Sequence, residues 1–206
     1  MRPMTGGPMP KAKLPAKPTQ NDVMALALPD ESALPGPVRA VYDKCVEKLG
    51  FVPNVLRAYT LRPKKFELFR QYNNELMLGE SGLSKLEREM IAVVVSCVNH
   101  CHYCLVAHGA AVRQISGDPV LGDQLVTNYR TAKLDARTRA MLDFVWKLTS
   151  TPAEIVDEDR AALRRAGFSD ADLWDIAEVA GFYNMTNRLA SAVEMRPNPE
   201  YFNAGR

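Results

Sequence analysis

A helix that is nearly all apolar over its second half must be packed on most sides, and one stretch of this chain reads as such a helix. Ser84 is a good N-cap, and Glu87 three residues on completes a capping box. From there the helix is expected to run to about Val98 through Met90-Ile91-Ala92-Val93-Val94-Val95. Its apolar half has no solvated face, which places it at the buried centre of the molecule. Asn99-His100 breaks it, and Cys101 opens the next helix, which reaches about Ser116 before Gly117-Asp118-Pro119.

The rest of the chain keeps the same period. Pro37–Leu49 reads as the first firm helix, with Val38, Val41, Tyr42, Cys45 and Leu49 at helical spacing and Gly50 ending it. Pro53 opens a short helix through about Tyr59. Pro63 opens one from Lys64 to about Leu78, with Phe66, Phe69, Tyr72 and Leu76 on one face. Val120–Tyr129 forms a short helix, and Asp135 caps another to about Leu148. Pro152-Ala153-Glu154 open the next, ended at Gly167. Ser169 or Asp170 caps a last long helix to about Glu194, stopped by Pro197. No convincing period-2 run is present, so the fold expected is all-α, a compact multi-helix bundle with a Cys-X-X-Cys at the start of a central helix. Residues 1–20 are rich in Pro, Gly and Lys and are expected to form a flexible tail. Residues 21–28 form a short helix or an ordered arm, and 21–206 form a single helical domain. One echo runs inside the chain: Leu83-Ser84…Arg88-Glu89 aligns with Leu134-Asp135…Arg139-Ala140, and no Cys-X-X-Cys follows the second copy.

Bulk properties remove several classes of function. A net charge of +2 with scattered Lys and Arg gives no electrostatic reason to expect a nucleic-acid partner, and none is expected. The apolar run Ile91–Val95 is far short of the ~20 residues that span a bilayer, and the N-terminus lacks the apolar core of a secretory signal. A cytoplasmic location is the expectation. Thiols there are normally reduced, so a Cys-X-X-Cys reads as catalytic or metal-binding rather than as a structural staple.

Three of the four cysteines and all three histidines fall between Cys97 and His108. Cys101 and Cys104 are three residues apart and share a helix face, close enough for a disulfide. Unpaired N–H groups where Cys101 opens its helix favour a thiolate. Cys104 and His108 stack at i and i+4, so the imidazole can hold or move the thiol proton. Glu89, at the head of the apolar run, is either a buried carboxyl that relays a proton or a surface partner of Arg88 or Lys85. The pair itself is a redox dithiol, half a zinc site completed by neighbouring histidines, or two small core residues. Crowding of the ligands into nine residues of one helix disfavours a closed tetrahedral metal site, and no metal is expected. His102 lines the mouth of the site or is solvated. His100 is a loop or cap residue. Tyr183, Asn184, Asn187 and Arg188 form a polar stripe on the last helix that lines the site or seals a subunit contact. Cys97 and Cys45 read as core thiols.

Cys101-His102-Tyr103-Cys104 with His108 and the upstream Glu89 resembles the alkylhydroperoxidase D / carboxymuconolactone decarboxylase family, in its peroxidase-related branch. Gly50-Phe51-Val52-Pro53-Asn54 and Met195-Arg196-Pro197-Asn198-Pro199-Glu200-Tyr201 resemble the same branch, and the likeness spans roughly Leu34 to Tyr201. The spacing Glu…Cys-X-X-Cys…His is its specific part. The resemblance implies an alkylhydroperoxidase D-like helical fold, a homo-oligomer (trimer or hexamer) and a thiol peroxidase. Cys104 would be the attacking thiol, Cys101 its disulfide partner, and His108 and Glu89 the proton relay. It implies a hydroperoxide substrate, no bound cofactor, and an external lipoyl- or thioredoxin-like dithiol as reductant. The N-terminal tail and the C-terminal segment after Met195 depart from the best-known members. The alternatives are a decarboxylase or isomerase of the carboxymuconolactone type and a non-catalytic redox sensor. The aromatic residues Phe66, Phe69, Phe144, Trp146 and Phe182 exceed what one small core was expected to hold, which also points to an oligomer.

Overall fold

The structure, a computed structural model, describes residues 22–206. The expected tail over residues 1–20 lies outside the described residues. The helices follow in order as α1 (Gly36–Leu49), α2 (Asn54–Tyr59), α3 (Pro63–Leu78), α4 (Lys85–Val98), α5 (His102–Ser116), α6 (Pro119–Asn128), α7 (Ala136–Ser150), α8 (Asp157–Arg165), α9 (Asp170–Ala192) and α10 (Glu200–Asn203). No strand occurs among the described residues.

α4 is the centre. It packs against α3, α5, α6, α7 and α9, and Ile91 through Val95 are fully buried. Burial of each of the Ile and Val side chains among them contributes roughly 1.5–3 kcal/mol, so this one turn and a half anchors the bundle. The capping box forms as expected: Glu87 N donates to Ser84 Oγ at 3.2 Å, and Ser84 N donates to Glu87 Oε2 at 2.7 Å. Arg88 then turns inward instead of pairing with its neighbour. Its guanidinium donates to the carbonyls of Leu83, Leu76 and Gly79, fastening the loop between α3 and α4 to the helix.

α4 ends in a paired-carbonyl turn that decides where the cysteines go. Cys101 N donates to Ser96 O at 3.0 Å and His100 N to Cys97 O at 3.2 Å, with His100 in the left-handed region at φ 52°. This is the Schellman arrangement, which usually places Gly where His100 stands. The residue that closes it is Cys101, which is also the N-cap of α5. α9 ends in the same way, with Glu194 at φ 51° and Met195 N donating to Ala190 O at 2.9 Å. The closing residues of the two turns, Cys101 and Met195, are buried in one cluster with Tyr103, Cys104 and Ala190.

Residues 22–28 form an arm rather than a helix beyond its first turn. Ala25 N donates to Val193 O and Arg196 N to Val23 O, both at 2.9 Å. Two asparagines fasten arm, α2 and C-terminal chain together. Asn54 Nδ2 donates to Arg196 O and Asp22 O, Asn54 N donates to Asn198 Oδ1 at 2.7 Å, and Asn198 Nδ2 donates to Val52 O.

Four expectations need correction. Pro152–Glu154 is a separate 3-10 turn, and α8 begins at Asp157. There Asp159 accepts from Val156 N and is held by Lys147 of α7, so an acidic first turn and not the proline sets the helix start. Tyr72 leaves the apolar face of α3, lies exposed, and donates its hydroxyl to Glu178 Oε1 at 2.8 Å. α10 was not anticipated. The aromatic surplus does not exist either. Phe66 and Phe182 are buried, and Phe69, Phe144 and Trp146 pack against the main core of the same chain. The inference of an oligomer from those five residues therefore fails.

Candidate active site

α5 begins at the sulfurs. Cys101 and Cys104 are both reduced, and both are buried, at 2 % and 3 % exposure. The Cys104 S–H donates to the Cys101 sulfur, which also receives the Cys104 backbone N–H and the Ser191 hydroxyl. These donors, with the positive charge of His108 nearby, draw the Cys101 thiol down to about 7 against the opposing effect of burial. Cys104 is pushed far the other way, because it gives its proton to Cys101 and is buried. The pair thus shares one proton, with the negative charge favoured on Cys101.

Cys104 rests on a polar support inside α4 and α9. Asn187 and Ser96 hydrogen-bond its sulfur and stabilise a thiolate there. Asn187 Nδ2 donates to Ser96 Oγ at 3.1 Å, and Asn99 Nδ2 donates to the side-chain oxygens of both Asn184 and Asn187 at 3.0 Å. Asn187 is fully buried, so this network fixes which end of its amide faces the sulfur.

One turn along α5, His108 Nδ1 lies 2.7 Å from Glu89 Oε2 of α4. Both side chains are mostly buried. Glu89 is therefore neither a partner of Arg88 nor of Lys85, the surface roles open to it. Its carboxylate accepting from Nδ1 leaves Nε2 for the cavity and fixes the tautomer that can take up a proton there.

Cys104 and His108 lie in the wall of a cavity of about 830 Å³. Its lining comes from α1, α2, α3, α5, α9 and the C-terminal chain, and it is largely apolar. An aromatic ladder forms one side: Tyr59 stacks on Phe69 at 3.9 Å, Phe69 on Phe182 at 5.5 Å, Phe182 meets Tyr183 edge-on at 5.3 Å, and Tyr183 meets the His108 ring at 4.5 Å. Tyr103 and Tyr201 close the far side. The Tyr103 hydroxyl accepts from Val55 N at 3.1 Å and donates to Tyr201. Exposed Lys44, Lys48 and Leu189 also line the cavity, so it opens to the surface.

The structure thus brings Glu89, His108, Cys104, Cys101, Tyr183 and Asn187 together. It does not bring His102, which is exposed, off the cavity, with its ring 6.4 Å from that of Phe202. Asn184 joins the amide network behind the sulfur but does not line the cavity. His100 is the left-handed turn residue. Cys97 is a core thiol, as expected: its Sγ donates to the carbonyls of Leu125 and Val126, and burial pushes it up to about 11. Cys45 is half-buried and lines the cavity, which its helical spacing alone did not show. Ser96, Asn99, Tyr103 and Tyr201 were also missed as site residues. Ser96 carried a signal, a hydroxyl inside an apolar run, which requires a partner. Among the described residues, no three His, Cys, Asp or Glu side chains are grouped to hold a metal ion, and no helix is long and apolar enough to cross a membrane.

This fold and this spacing of Glu, dithiol and His define a family. The profile of the carboxymuconolactone decarboxylase family matches residues 63–119, which include α3, α4 and α5. A peroxidase-related protein of Silicibacter sp. TM1040 is 57% identical, with a TM-score of 0.88, over 97% of this chain and 100% of its own. A peroxidase-related alkylhydroperoxidase core protein of Ralstonia eutropha JMP134 is 42% identical, with a TM-score of 0.87, over 93% of this chain and 98% of its own. The chain belongs to the alkylhydroperoxidase D-like, peroxidase-related branch of the carboxymuconolactone decarboxylase family. The debrominase Bmp8 shares the fold at 18% identity, with a TM-score of 0.72 over 84% of this chain and 92% of its own. No protein of curated description matches the chain.

Proposed function

We propose that the protein is a thiol-dependent peroxidase that reduces organic hydroperoxides or hydrogen peroxide through a dithiol–disulfide cycle of Cys104 and Cys101. One observation carries this reading: Cys104 faces an aromatic cavity beside the His108–Glu89 pair, with Cys101 hydrogen-bonded to it from behind. Family membership supports it.

A hydroperoxide in the cavity meets Cys104. The shared proton crosses to Cys101 and leaves the thiolate on Cys104, where Asn187 and Ser96 stabilise it. That thiolate attacks the terminal peroxide oxygen. An S–O bond forms, the O–O bond breaks, and the leaving alkoxide takes the Nε2 proton of the His108 imidazolium, which then takes up another from solvent. The product is a sulfenic acid on Cys104. The Cys101 thiol then attacks that sulfur. An S–S bond forms, the S–O bond breaks, and hydroxide leaves with the Cys101 proton as water. An external dithiol reduces the disulfide and becomes oxidised itself. Glu89 acts by holding His108 in the tautomer that the cycle uses.

The test is turnover of an organic hydroperoxide with a panel of dithiols. Dithiol-dependent turnover is expected, and Cys104→Ser should abolish it. A Cys104→Ser protein that works at the unaltered rate contradicts the assignment. A carboxymuconolactone-type decarboxylase would ignore the peroxide, and a sensor would be oxidised once without turnover.

A further inference from the structure

Building on the peroxidase reading, we propose that the hydroxyls of Tyr183 and Tyr201 donate hydrogen bonds to the leaving oxygen of the peroxide and hold it until His108 delivers its proton. The need for such donors comes from the cavity. Breaking the O–O bond puts a negative charge on an oxygen among largely apolar side chains. An unpaired anion in such surroundings is costly, and donors fixed in advance lower that cost most.

Three tyrosine hydroxyls gather near the sulfurs. Tyr103 and Tyr183 are buried and Tyr201 is half-buried. Tyr103 is already committed: its oxygen accepts from Val55 N at 3.1 Å, and its O–H donates to Tyr201. The protons of Tyr183 and Tyr201 have no acceptor among the described residues. Buried hydroxyls normally find partners, and these two stand in the cavity wall with Cys104 and His108. Tyr183 ends the aromatic ladder on one side and Tyr201 stands on the other, so they flank the space beside Cys104. The charges of Glu89 and Cys104 both act on the Tyr183 hydroxyl, and that of Glu89 acts on Tyr201.

Each donor is held by contacts away from the cavity space. Tyr183 sits edge-on to the rings of His108 and Phe182. Tyr201 is carried by α10, which Arg113 of α5 fastens down by donating to the carbonyls of Tyr201 at 2.8 Å and Ala204 at 2.9 Å. Its ring meets Phe51 edge-on at 5.2 Å. The chain from Val55 N–H through Tyr103 to Tyr201 also polarises the last O–H, because each bond accepted strengthens the one donated. Burial pushes both hydroxyls up, and Glu89 adds to the shift, so each keeps its proton and remains a donor. The step balances with the roles already given. The Cys104 thiolate attacks the terminal oxygen, and the electron pair of the O–O bond moves onto the leaving oxygen. The two O–H groups hydrogen-bond to that oxygen, and the Nε2 proton of His108 turns it into the alcohol. Tyr183 and Tyr201 keep their own protons throughout.

The test uses the reduced full-length protein without any reductant, so only the first attack on peroxide is read. Tyr183→Phe, Tyr201→Phe and the double variant keep both rings and lose only the hydroxyls. Each is mixed with cumene hydroperoxide, which expels a strongly basic alkoxide, and with perbenzoic acid, which expels a weakly basic carboxylate. Alkylation of the Cys101–Cys104 pair by iodoacetamide, which expels no oxygen, reports on the fold and the thiols. With cumene hydroperoxide, each single variant should be ~10-fold slower and the double variant ~10²-fold slower or more, in line with the loss of oxyanion donors elsewhere. With perbenzoic acid and with iodoacetamide, all three should stay within about threefold of the original, because neither leaves a strongly basic oxygen. A double variant as fast as the original with cumene hydroperoxide overturns the proposal. So does one that loses the same factor with all three reagents, which is the mark of a merely structural role. Both results leave the peroxidase reading standing. An original protein inert to both peroxides overturns that reading and this proposal together.

Discussion

α4 and α7 begin in the same way and serve different ends. Each starts from a leucine and an N-cap, Leu83-Ser84 and Leu134-Asp135. In each, an arginine on the first turn reaches back to the carbonyls of the preceding segment. Arg88 binds those of Leu76, Gly79 and Leu83, and Arg139 those of Tyr129 and Ala132. The next residue separates them. Glu89 reaches across to His108, whereas Ala140 has nothing to offer. Their ends also differ: α4 turns at His100 and delivers Cys101 to the head of α5, while α7 runs out through Thr151 into a 3-10 turn. The echo first seen in the sequence is thus a shared way of fastening a helix start. Only α4 carries the chemistry, through a carboxyl at one position and a sharp turn at its other end.

The comparison can be broken at several points. The largest effect is expected from Glu89→Ala, which makes α4 resemble α7. Loss of the group that orients His108 should lower peroxidase turnover by ~10²–10⁴-fold, while circular dichroism shows an intact fold. Turnover within twofold of the original would place the relay elsewhere. Next come the two clamps. Arg88 is almost wholly buried and holds three carbonyls, so Arg88→Ala should cost about 3 kcal/mol in denaturant unfolding. Arg139→Ala removes two bonds at a half-buried site and should cost about 1–2 kcal/mol. The reverse order would show that α7, not α4, anchors the bundle.

A smaller effect concerns the thiol pair that only α4 delivers. Thiolate absorbance near ~240 nm should rise with a midpoint near 7, one thiolate per chain, from Cys101. The sign for stability follows. The Cys101 thiol is lowered in the folded state, so the reduced protein should gain stability as pH rises from about 7 towards the unfolded-thiol value of ~8.5. That gain is lost as pH falls through 7. Above ~8.5 the raised Cys104 reverses the trend, because the unfolded chain then releases a proton that the fold retains. Cys104→Ala removes the side chain that donates to Cys101, and should move the midpoint upward. The smallest effect is at the turn. His100→Gly relieves a left-handed residue and should raise stability by less than ~1 kcal/mol.

Local chemistry was legible in the chain. Ser84, Asp135 and Ser169 are N-caps, Gly50 and Gly167 end helices, and the all-apolar half of α4 is the buried centre. These signals lie within a few residues of what they specify. The Glu89–His108 pair was only half legible: i and i+4 spacing set His108 beside Cys104, but Glu89 sits on another helix, and its relay role came from the family resemblance rather than from spacing. The cavity was not legible. Its wall joins Cys45 of α1, Tyr59 of α2, Phe69 of α3, Tyr183 of α9 and Tyr201 near the C-terminus, and no local rule brings those helices together. The same holds for the setting of the two sulfurs. Spacing put Cys101 and Cys104 on one face, and both are buried in one cluster, but only the packing of the other helices shows that Cys104 lines the cavity and Cys101 does not. The start of α8 was misplaced for a different reason. Pro152 is a strong local signal, and the Lys147–Asp159 bond that supports the true start comes from another helix.

The most direct measurement follows the sulfurs themselves. The reduced protein is given one equivalent of an organic hydroperoxide without any donor, and its cysteines are mapped by peptide mass spectrometry. The account predicts one Cys101–Cys104 disulfide and one equivalent of alcohol, with Cys45 and Cys97 still reduced. Untouched Cys101 and Cys104, or oxidation that begins at Cys45 or Cys97, would contradict it.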